Sequence, residues 1–364
     1  MGAELFDPFA TVVRRINEPG TAAALRAAGP IVRAEAPAGG PVWIVTEEAL
    51  ARRVLTDDRL AKDPAYAPPS WDRWAAGLEP TAAEQPSLTT LDGPAHAALR
   101  KAHAPLFAAR RIQGFADLIA TIARRQLAAL DGPVDLMADF TTRFPLTVIC
   151  ELLGVPADRV DQAVAACARM GAYGPSEFAA VMAAFADLAA AALEHGGMAA
   201  ELRDRVPEGT SEEQVHYLLF GLIFASQITT DAALGFLVAR ALGDPSDDLV
   251  GEVLRQQPPA PFTLWRFTRA EVELAGVRLP ERAPVLVDIA GINTAGAGAD
   301  LTFGAGPHYC IGAQLAQLEL RAVADVLAAD FPDARLAVPY AQLRRVDRGM
   351  QGSRLVELPV LLRG

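Results

Sequence analysis

Apolar residues recur at helical spacing along most of the chain. The pattern runs from residue 92 to about residue 195, with breaks where glycine is followed closely by proline. Residues 211–242 form the longest apolar run, and Ser211 followed by glutamates predicts the start of a helix there. Polar residues interrupt the middle of this run, so the pattern favours a buried core helix over a membrane span. Shorter helices are predicted over residues 249–257 and directly after Gly312.

Strand patterns occupy two shorter parts of the chain. In residues 31–50, apolar stretches flank Gly39 and Gly40, which predicts a hairpin. Residues 262–290 alternate in the manner of strands, and a connection rich in Gly and Ala follows them. Residues 64–90 show little periodicity, which predicts a long loop with one short helix, and such loops often carry function.

Composition and charge exclude several classes of protein. The 364 residues, 51% of them hydrophobic, are enough to bury a large core. A net charge of -11 argues against a nucleic-acid binder, because binding to phosphates needs a dense basic surface. The start of the chain contains neither an apolar signal core nor a spanning segment. We therefore expect a cytoplasmic protein with no nucleic acid and no membrane among its partners.

The three cysteines differ in their surroundings. An odd, sparse set in a chain of this length does not indicate a disulfide framework. Cys150 and Cys167 are interpreted as buried thiols. Cys310 lies in a glycine-rich segment just before a predicted helix, where backbone N–H groups and the helix N-terminus stabilise a thiolate. Glycines on both sides of Cys310 let the backbone turn tightly against a flat partner.

The segment around Cys310 closely resembles the cysteine motif of the cytochrome P-450 family. It reads F-G-A-G-P-H-Y-C-I-G from Phe303 to Gly312 and matches the family pattern F-G-x-G-x-H-x-C-x-G. The resemblance implies that Cys310 is the thiolate ligand of a haem iron, within a cofactor-binding loop that includes Phe303 and Gly312. A thiolate in this place favours cleavage of an O–O bond on the opposite side of the iron. The chain has no C-x-x-C-H motif, so haem b held without thioether bonds is expected.

Further motifs of the same family follow in the expected order. Glu252 and Arg255 match the family's E-x-x-R helix motif, whose ion pair is structural. His96 and Arg100 match an H-x-x-x-R pair that contacts haem propionates, and one helical turn separates them.

The resemblance extends over nearly the whole chain. It assigns Arg266, on a predicted strand, and His308, two residues before the cysteine, to the propionates. It implies the family's fold, a triangular, mainly helical body around haem with a small β subdomain, and dioxygen activation with electrons from a separate, ferredoxin-type protein. The expected organisation is one domain, residues 1–364, with its sheets mainly in 28–60 and 262–290 and its helices in 92–257 and 301–335.

The long helix departs from the family pattern at the motif that lies beside the iron. Family members commonly carry A-G-x-acid-T there, whereas this chain has Ala225-Ser226-Gln227-Ile228-Thr229. The alcohol is retained as Thr229, but Ile228 cannot carry a proton. One interpretation is that Ser226, Gln227 or ordered water replaces the acid, so that Thr229, Ser226 and Gln227 are the candidate catalytic residues. The other is that the reaction needs less proton delivery.

A second departure lies between Arg255 and Cys310. The family's coil before the cysteine loop is much shortened, because the strand ending in V-L-V-D-I-A-G-I-N leads almost directly to the cysteine segment. This shortening puts the usual contact with a redox partner in doubt and could weaken haem retention.

Three functions agree with these motifs. The leading hypothesis is monooxygenation of a small-molecule or carrier-bound biosynthetic intermediate, that is, oxidative tailoring. A non-oxygenating haem catalyst for coupling, dehydration or rearrangement is motivated by Ile228, and a catalytically silent recruitment module is disfavoured by the intact Cys310. The substrate pocket is expected to be apolar, and its candidate lining residues are Trp71, Trp74, Met170, Phe224, Ala225, Ile228, Pro261, Phe262 and Thr263.

Overall fold

The structure, a computed structural model, describes residues 7–73, 75–76, 85–169, 175–295 and 300–363. Most of the regular structure in these residues is helical: α1 (Ala22–Ala28), α2 (Glu48–Val54), α3 (Gly93–His103), α4 (Ala109–Gln113), α5 (Ala116–Ala128), α6 (Leu136–Asp139), α7 (Arg143–Leu153), α8 (Ala157–Arg169), α9 (Pro175–His195), α10 (Met198–Arg205), α11 (Glu212–Gly243), α12 (Leu249–Gln256), α13 (Ile289–Ala295) and α14 (Ala313–Asp330). The strands are short: β1 (Thr11–Arg15), β2 (Ile31–Glu35), β3 (Pro41–Val45), β4 (Leu60–Ala61), β5 (Pro133–Asp135), β6 (Arg266–Thr268), β7 (Val272–Leu274), β8 (Val277–Leu279), β9 (Pro284–Val287), β10 (Arg335–Leu336), β11 (Arg344–Arg348), β12 (Ser353–Leu355) and β13 (Pro359–Leu361). The mainly helical fold with small sheets is the one that the sequence predicts.

The predicted hairpin is present and forms part of a five-stranded sheet. β2 pairs antiparallel with β3, and Gly39 and Gly40 take positive φ angles of 91° and 72° at the turn, which glycine adopts without strain. The strand order is β2-β3-β9-β6-β4, with β3 and β9 parallel and the remaining pairs antiparallel. Arg266, the first residue of β6, therefore lies on an interior strand.

Both faces of this sheet are buried. Successive side chains of a strand point to opposite faces, and in β3 Trp43 and Val45 pack in one apolar cluster with residues of α2. Val42 and Ile44 pack on the other face, in a second cluster with Phe267. A strand that is buried on both faces has no polar side, which explains the uninterrupted apolar run of β3.

The long helix begins where the sequence predicts. The hydroxyl of Ser211 accepts a hydrogen bond from the Gln214 N–H at 3.1 Å and so caps α11. Among the described residues, α11 is long and apolar enough to cross a membrane, and a bent pair within α9 and α10 passes the same test only as one broken span. However, 72% of the most apolar window of α11 is buried inside the protein, where it packs against α7, α9 and α14. This burial favours the predicted core helix.

The segment after β9 is a helix, whereas the alternating pattern predicted strand through residue 290. Asp288 Oδ1 accepts a hydrogen bond from the Gly291 N–H at 2.8 Å, and α13 begins at the next residue after Asp288. An aspartate that accepts from the N–H three residues ahead caps a helix, and this local contact ends the strand. The Gly/Ala-rich residues 296–299 that follow lie outside the described residues.

The described residues group into two compact units. Unit 1 takes its residues from Met1–Ala97, Gly251–Cys310 and Arg345–Arg354, and it contains the five-stranded sheet, α12, α13 and the cysteine loop. Unit 2 takes its residues from Ala98–Val250, Ile311–Arg344 and Leu355–Gly364, and it contains the long helix. Thus the cysteine loop and α12, which the sequence analysis assigned to the helical body, group with the sheets. That the chain is a single domain stays a prediction.

Candidate functional site

The cysteine loop is a tight turn held by its own backbone. The N–H of Cys310 donates to the carbonyl of Phe303 at 2.8 Å. Gly304 and Gly306 have positive φ angles of 71° and 70°. A β-carbon at position 306 would come within 3.1 Å of the Leu55 carbonyl oxygen, so that position has no room for a side chain. The glycines before the cysteine are therefore required by the turn itself.

Cys310 differs from the other cysteines in its exposure. Its side chain is exposed, whereas Cys150 and Cys167 are buried, as the sequence predicts. Burial raises the pKa of the Cys150 thiol to about 12, so that thiol stays protonated and unreactive at neutral pH. The cysteine that the motif identifies is thus the one that a cofactor can reach.

A buried asparagine attaches the start of the cysteine loop to its neighbouring helices. Asn293, in α13, is 2% exposed. Its Nδ2 donates to the Thr302 hydroxyl at 2.8 Å, and its Oδ1 accepts from the Leu301 N–H at 2.8 Å. The Thr302 hydroxyl in turn donates to the carbonyl of Leu254, in α12, at 2.9 Å. We name these contacts the Asn293 clasp. It lies in the stretch where the family's coil is predicted to be shortened, and sequence analysis missed it because no motif marks the amide.

The E-x-x-R pair lies in the same part of unit 1 as the clasp. Glu252 and Arg255 are half-buried one turn apart in α12, and Val253 and Leu254 between them are buried. Because the Leu254 carbonyl accepts the Thr302 hydroxyl, α12 is attached directly to the cysteine loop. The structural role of Glu252 and Arg255 stays a prediction, and their position agrees with it.

Unit 1 also buries two cationic side chains near each other. Arg266 is 4% exposed and Lys62 is 5% exposed. The ammonium of Lys62 donates to the carbonyl of Trp265 at 3.1 Å. Burial lowers the pKa of Arg266 to about 10. Burial, together with the charge of Arg266, also lowers the pKa of Lys62 well below its usual value. Sequence analysis missed Lys62, because a single lysine forms no motif.

Asp92 is a carboxylate whose negative charge acts on both Lys62 and Arg266. It accepts the Lys62 N–H at 2.7 Å, and it lies 3.4 Å from Arg269 and 3.4 Å from Nε2 of His308. Burial acts to raise the pKa of Asp92, but hydrogen bonds from His308 and Lys62 outweigh burial and the pKa is lowered. The ring of His96, which is 3% exposed, has its centroid 4.0 Å from that of His308. The structure thus brings together the two histidines predicted to contact the propionates.

The buried arginine of unit 1 fits a bound anion. Within the described residues, the guanidinium of Arg266 has no hydrogen bond or direct ion pair, and Asp92 contributes only a longer-range charge. A buried cation without a direct ion pair is destabilising, so Arg266 indicates an anionic ligand. In unit 2, Arg100 is half-buried one turn after His96 in α3 and likewise has no hydrogen bond or ion pair among the described residues. Haem carries two propionates, which arginine pairs well, and the exposed thiol of Cys310 offers a ligand for iron. The residues present therefore fit haem.

The altered motif of α11 divides between two faces of the helix. Thr229 donates its hydroxyl to the Ala225 carbonyl at 2.8 Å; Ala225 is exposed, and Ser226 and Thr229 are half-buried. Gln227 is 2% exposed, and its amide lies 3.4 Å from Asp231 Oδ2. Residues three apart share a helix face, so Ser226 lies beside Thr229 and Gln227 does not. Of the two residues predicted to replace the acid, Ser226 is the one on the face of Thr229.

The buried face of α11 carries polar groups that sequence analysis did not connect. Asp231 is 7% exposed and accepts the Thr142 hydroxyl at 3.1 Å. Thr230 is 3% exposed and donates its hydroxyl to Oε2 of Glu319, in α14, at 3.4 Å. The one sequence signal was Glu319 itself, a carboxylate set between Leu318 and Leu320 on an otherwise apolar stretch of its helix.

Three residues predicted to line the substrate pocket belong to the core of unit 1. Trp71 packs edge-on against Trp265 and Phe267, with ring centroids 5.7 and 5.1 Å apart. Phe262 and Thr263 are 4% and 8% exposed. The structure therefore places Trp71, Phe262 and Thr263 behind the sheet rather than on an open face.

The neighbouring residue Leu264 is exposed to solvent instead. It is 46% exposed, although the residues on either side of it, Thr263 and Trp265, are buried. Leu264 therefore presents an apolar side chain outside the core of unit 1. Sequence analysis did not single out Leu264, because tertiary packing decides which side chains of an irregular segment face inward. That Trp71, Phe262 and Thr263 line the pocket stays a prediction.

The remaining predicted pocket residues fall into two groups. Those with open or half-buried side chains are Phe224, Ala225, Ile228 and Pro261. Those outside the described residues are Trp74 and Met170. The ring of Phe224 lies parallel to that of Phe220, with centroids 6.0 Å apart, which holds Phe224 in place on α11.

Comparison with known proteins agrees with this site. No family model matches the chain. The chain is 42% identical to the cytochrome P-450 monooxygenase DoxA of Streptomyces sp. (strain C5), over 98% of each chain. It is 32% identical to the vitamin D(3) 25-hydroxylase of Pseudonocardia autotrophica, over 88% of each chain. The structure of CYP154A1 from Streptomyces coelicolor A3(2) matches with a TM-score of 0.79 and 27% identity, covering 94% of this chain and 96% of that one.

The relatives also bear on the shortened coil. The alignment with DoxA extends over 412 positions, more than the 364 residues of this chain, so DoxA carries segments that this chain lacks. The predicted shortening before the cysteine loop agrees with this difference in length. Relatives above 30% identity along nearly the full length, together with the fold, establish the family. The chain therefore belongs to the cytochrome P-450 family, as a haem b monooxygenase of the oxidative tailoring type.

Proposed function

We propose that this chain binds haem b through the thiolate of Cys310 and hydroxylates a largely apolar small molecule. The observation that carries the proposal is the cysteine loop, in which the backbone turn leaves Cys310 exposed while the other cysteines are buried. Haem, when bound, supplies the activation of dioxygen. Arg266, His96, Arg100 and His308 hold its propionates, since neither arginine has a hydrogen bond or a direct ion pair among the described residues.

The face of α11 that carries Ser226 and Thr229 supplies the proton transfer and part of the substrate contact. Thr229 holds a hydroxyl proton on the Ala225 carbonyl, 2.8 Å away, and Ser226 offers a second hydroxyl on the same face. These hydroxyls orient and pass protons, as groups within hydrogen-bond reach of a reacting atom can do. Ile228 adds an apolar wall where the family has an acid, so this face favours an apolar ligand.

The substrate proposed is an apolar biosynthetic intermediate, either free or bound to a carrier. On α11, Phe224 and Ile228 present apolar side chains that are half-buried. Apolar walls with few polar groups are the common design of sites for small molecules. The relative named as a vitamin D(3) 25-hydroxylase supports hydroxylation of an apolar molecule.

The electron donor proposed is an acidic, ferredoxin-type protein in the cytoplasm. Residues 98–128 of unit 2 are rich in basic side chains and contain one acidic residue, Asp117, although the whole chain has a net charge of -11. Lys101, Arg110 and Arg125 in this stretch are exposed. Exposed basic side chains on a protein of net negative charge attract an acidic partner.

A carbon monoxide spectrum of the reduced protein tests the cofactor and its ligand. We expect a Soret band at the position typical of thiolate-ligated haem, and we expect Cys310→Ser to lose that band. Cys150→Ser is the matched control, because that thiol is buried and keeps its proton. A thiolate band that survives in Cys310→Ser would refute the assignment of the ligand. Spin-state titration with apolar and with charged candidate compounds then tests the substrate class.

A further inference from the structure

Lysine is nearly absent from this chain, and one of its lysines lies inside unit 1. Of the 33 lysine and arginine residues, only Lys62 and Lys101 are lysines. Lys101 is exposed on α3, as charged side chains usually are, whereas Lys62, directly after β4, is 5% exposed. A buried lysine gives up its proton far more readily than an arginine does. Lys62 therefore differs in its chemistry from the arginines around it.

The hydrogen bonding of Lys62 fits a neutral amine as well as an ammonium. Among the described residues, its Nζ donates once, to the carbonyl of Trp265 at 3.1 Å, and it has no ion pair. The carboxylate of Asp63, the next residue in the chain, accepts the N–H of Ala65 instead. Because an ammonium has one more proton to donate than an amine, a single acceptor leaves it the less satisfied of the two.

The charges around Lys62 include more cations than anions. Arg266, on β6, is the positive charge that acts on Lys62, and Asp92 is the negative one. Asp92 is shared, because it also lies 3.4 Å from Arg269 and 3.4 Å from Nε2 of His308. Burial, and then the charge of Arg266, lower the pKa of Lys62 well below 10.5, against a smaller opposite effect of Asp92. Of these buried cations, Lys62 is the one that loses its charge most easily.

The proposed cofactor carries the charge opposite to that of this cluster. Haem has two propionates, and Arg266 and His308, which are proposed to hold them, belong to the same cluster as Lys62. We propose that Lys62 is a titratable cation of the cofactor site, neutral without haem and protonated with it, so that haem binding takes up one proton. The amine gains this proton from solvent and becomes an ammonium, and no electron is transferred.

Haem affinity should then depend on pH in one direction. The propionates stabilise the ammonium, so the pKa of Lys62 is higher with haem than without it. Below both pKa values Lys62 is charged in both states, and affinity does not depend on its titration. Between the two values, affinity falls as pH rises, by up to about tenfold per pH unit for one proton. Lys62 therefore makes haem retention weaker as the solution becomes more alkaline.

The first test measures how haem partitions between the holoenzyme and excess apomyoglobin, from neutral to alkaline pH. Wild type should lose haem increasingly as pH rises. Lys62→Arg, which keeps its charge, should retain haem with a weaker dependence on pH. Lys62→Met should bind haem several-fold less tightly than wild type at neutral pH, also with a weaker dependence. Lys101→Met, which changes the exposed lysine, is the matched control and should follow wild type. Equal pH dependence in wild type and both Lys62 variants would overturn the inference.

The second test observes Lys62 directly by nuclear magnetic resonance. A chain that is isotope-labelled at lysine Cε gives two signals, because it has two lysines, and Lys62→Met and Lys101→Met assign them. At one mildly alkaline pH, the Lys62 signal should be that of an ammonium in the diamagnetic ferrous carbon monoxide complex and that of an amine in the protein freed of haem. The same protonation state in both would overturn the inference. If the protein freed of haem unfolds, the partition experiment, which starts from holoenzyme, decides.

The inference rests on the proposed binding of haem, and the two can fail separately. If the purified protein holds no haem and shows no thiolate band with carbon monoxide, the proposed function fails. If it holds haem with that band, but the Lys62 variants titrate as wild type does, the inference alone fails. The carbon monoxide band of each variant also shows whether Cys310 is still the ligand, which separates an effect of charge from misfolding.

Discussion

The cysteine loop and the long helix both carry family motifs, yet the structure treats them differently. In the loop, each motif residue has a local role: the glycines allow the turn, and the Phe303 carbonyl accepts the Cys310 N–H. In α11, consecutive motif residues point in different directions, so Gln227 is buried while Thr229 lies on the open face. The roles that the family assigns to a loop motif can therefore be transferred to this chain residue by residue. For a helix motif, the face of the helix on which each residue lies must be known first.

The largest expected effect concerns the charges that accompany the cysteine loop. The double variant Arg100→Ala plus Arg266→Ala should lose most of its haem. Charge-assisted hydrogen bonds contribute roughly 1.5–3 kcal/mol each, so the pair should weaken haem binding by about two to four orders of magnitude. The measurement is haem bound per protein after gel filtration. Arg110→Ala plus Arg125→Ala, which changes exposed arginines, is the control. Full haem content in the first double variant would show that these arginines do not hold the propionates.

A smaller effect is expected from the Asn293 clasp. Asn293→Leu removes the donor to Thr302 and the acceptor of the Leu301 N–H. A buried group left without its partner costs about 1–3 kcal/mol. We expect part of the reduced carbon monoxide complex to shift from the thiolate position to the position of haem without a thiolate ligand. Thr302→Val should act in the same direction and Thr302→Ser should not.

The control for the clasp is Asn17→Ala, because Asn17 is exposed. A pure thiolate band in Asn293→Leu, with unchanged stability to urea, would mean that the loop holds Cys310 in place without the clasp. That result would strengthen the contrast between the loop and the helix, since the loop would then depend on its own backbone alone.

The smallest effect on folding and haem content is expected for variants in α11, which should change the reaction instead. Thr229→Ala should leave haem and fold intact but lower the product formed per reducing equivalent and release peroxide, because the hydroxyl that passes protons is gone. Ile228→Glu, which restores an acid at the family position, should raise coupling or leave it unchanged. An unchanged coupling ratio in Thr229→Ala would favour a non-oxygenating reaction, the alternative that Ile228 suggests.

Several elements of the fold could be predicted because their signals are local. The hairpin follows from Gly39 and Gly40, and the start of α11 follows from Ser211, whose hydroxyl caps the helix. The strand predicted through residue 290 was wrong after Val287, because the capping contact of Asp288 to Gly291 decided in favour of a helix. Burial of Trp71, Phe262 and Thr263, which lie outside the named strands, depended on tertiary packing that a local pattern along the chain does not reveal.

The sequence by itself determined the family, the thiolate candidate and the charged residues for the cofactor, because a turn and a spacing of one helical turn depend on neighbours in the chain. The tertiary structure decided what those residues meet: that Asn293 attaches Thr302 to Leu254, and that Lys62 is buried near Arg266. It also decided that the pKa of Glu319 is raised well above its usual value, since only the packing of α14 against α11 removes that carboxyl from water. Burial is a property of the packed molecule, and the desolvation that it causes shifts the pKa values of Lys62 and Glu319.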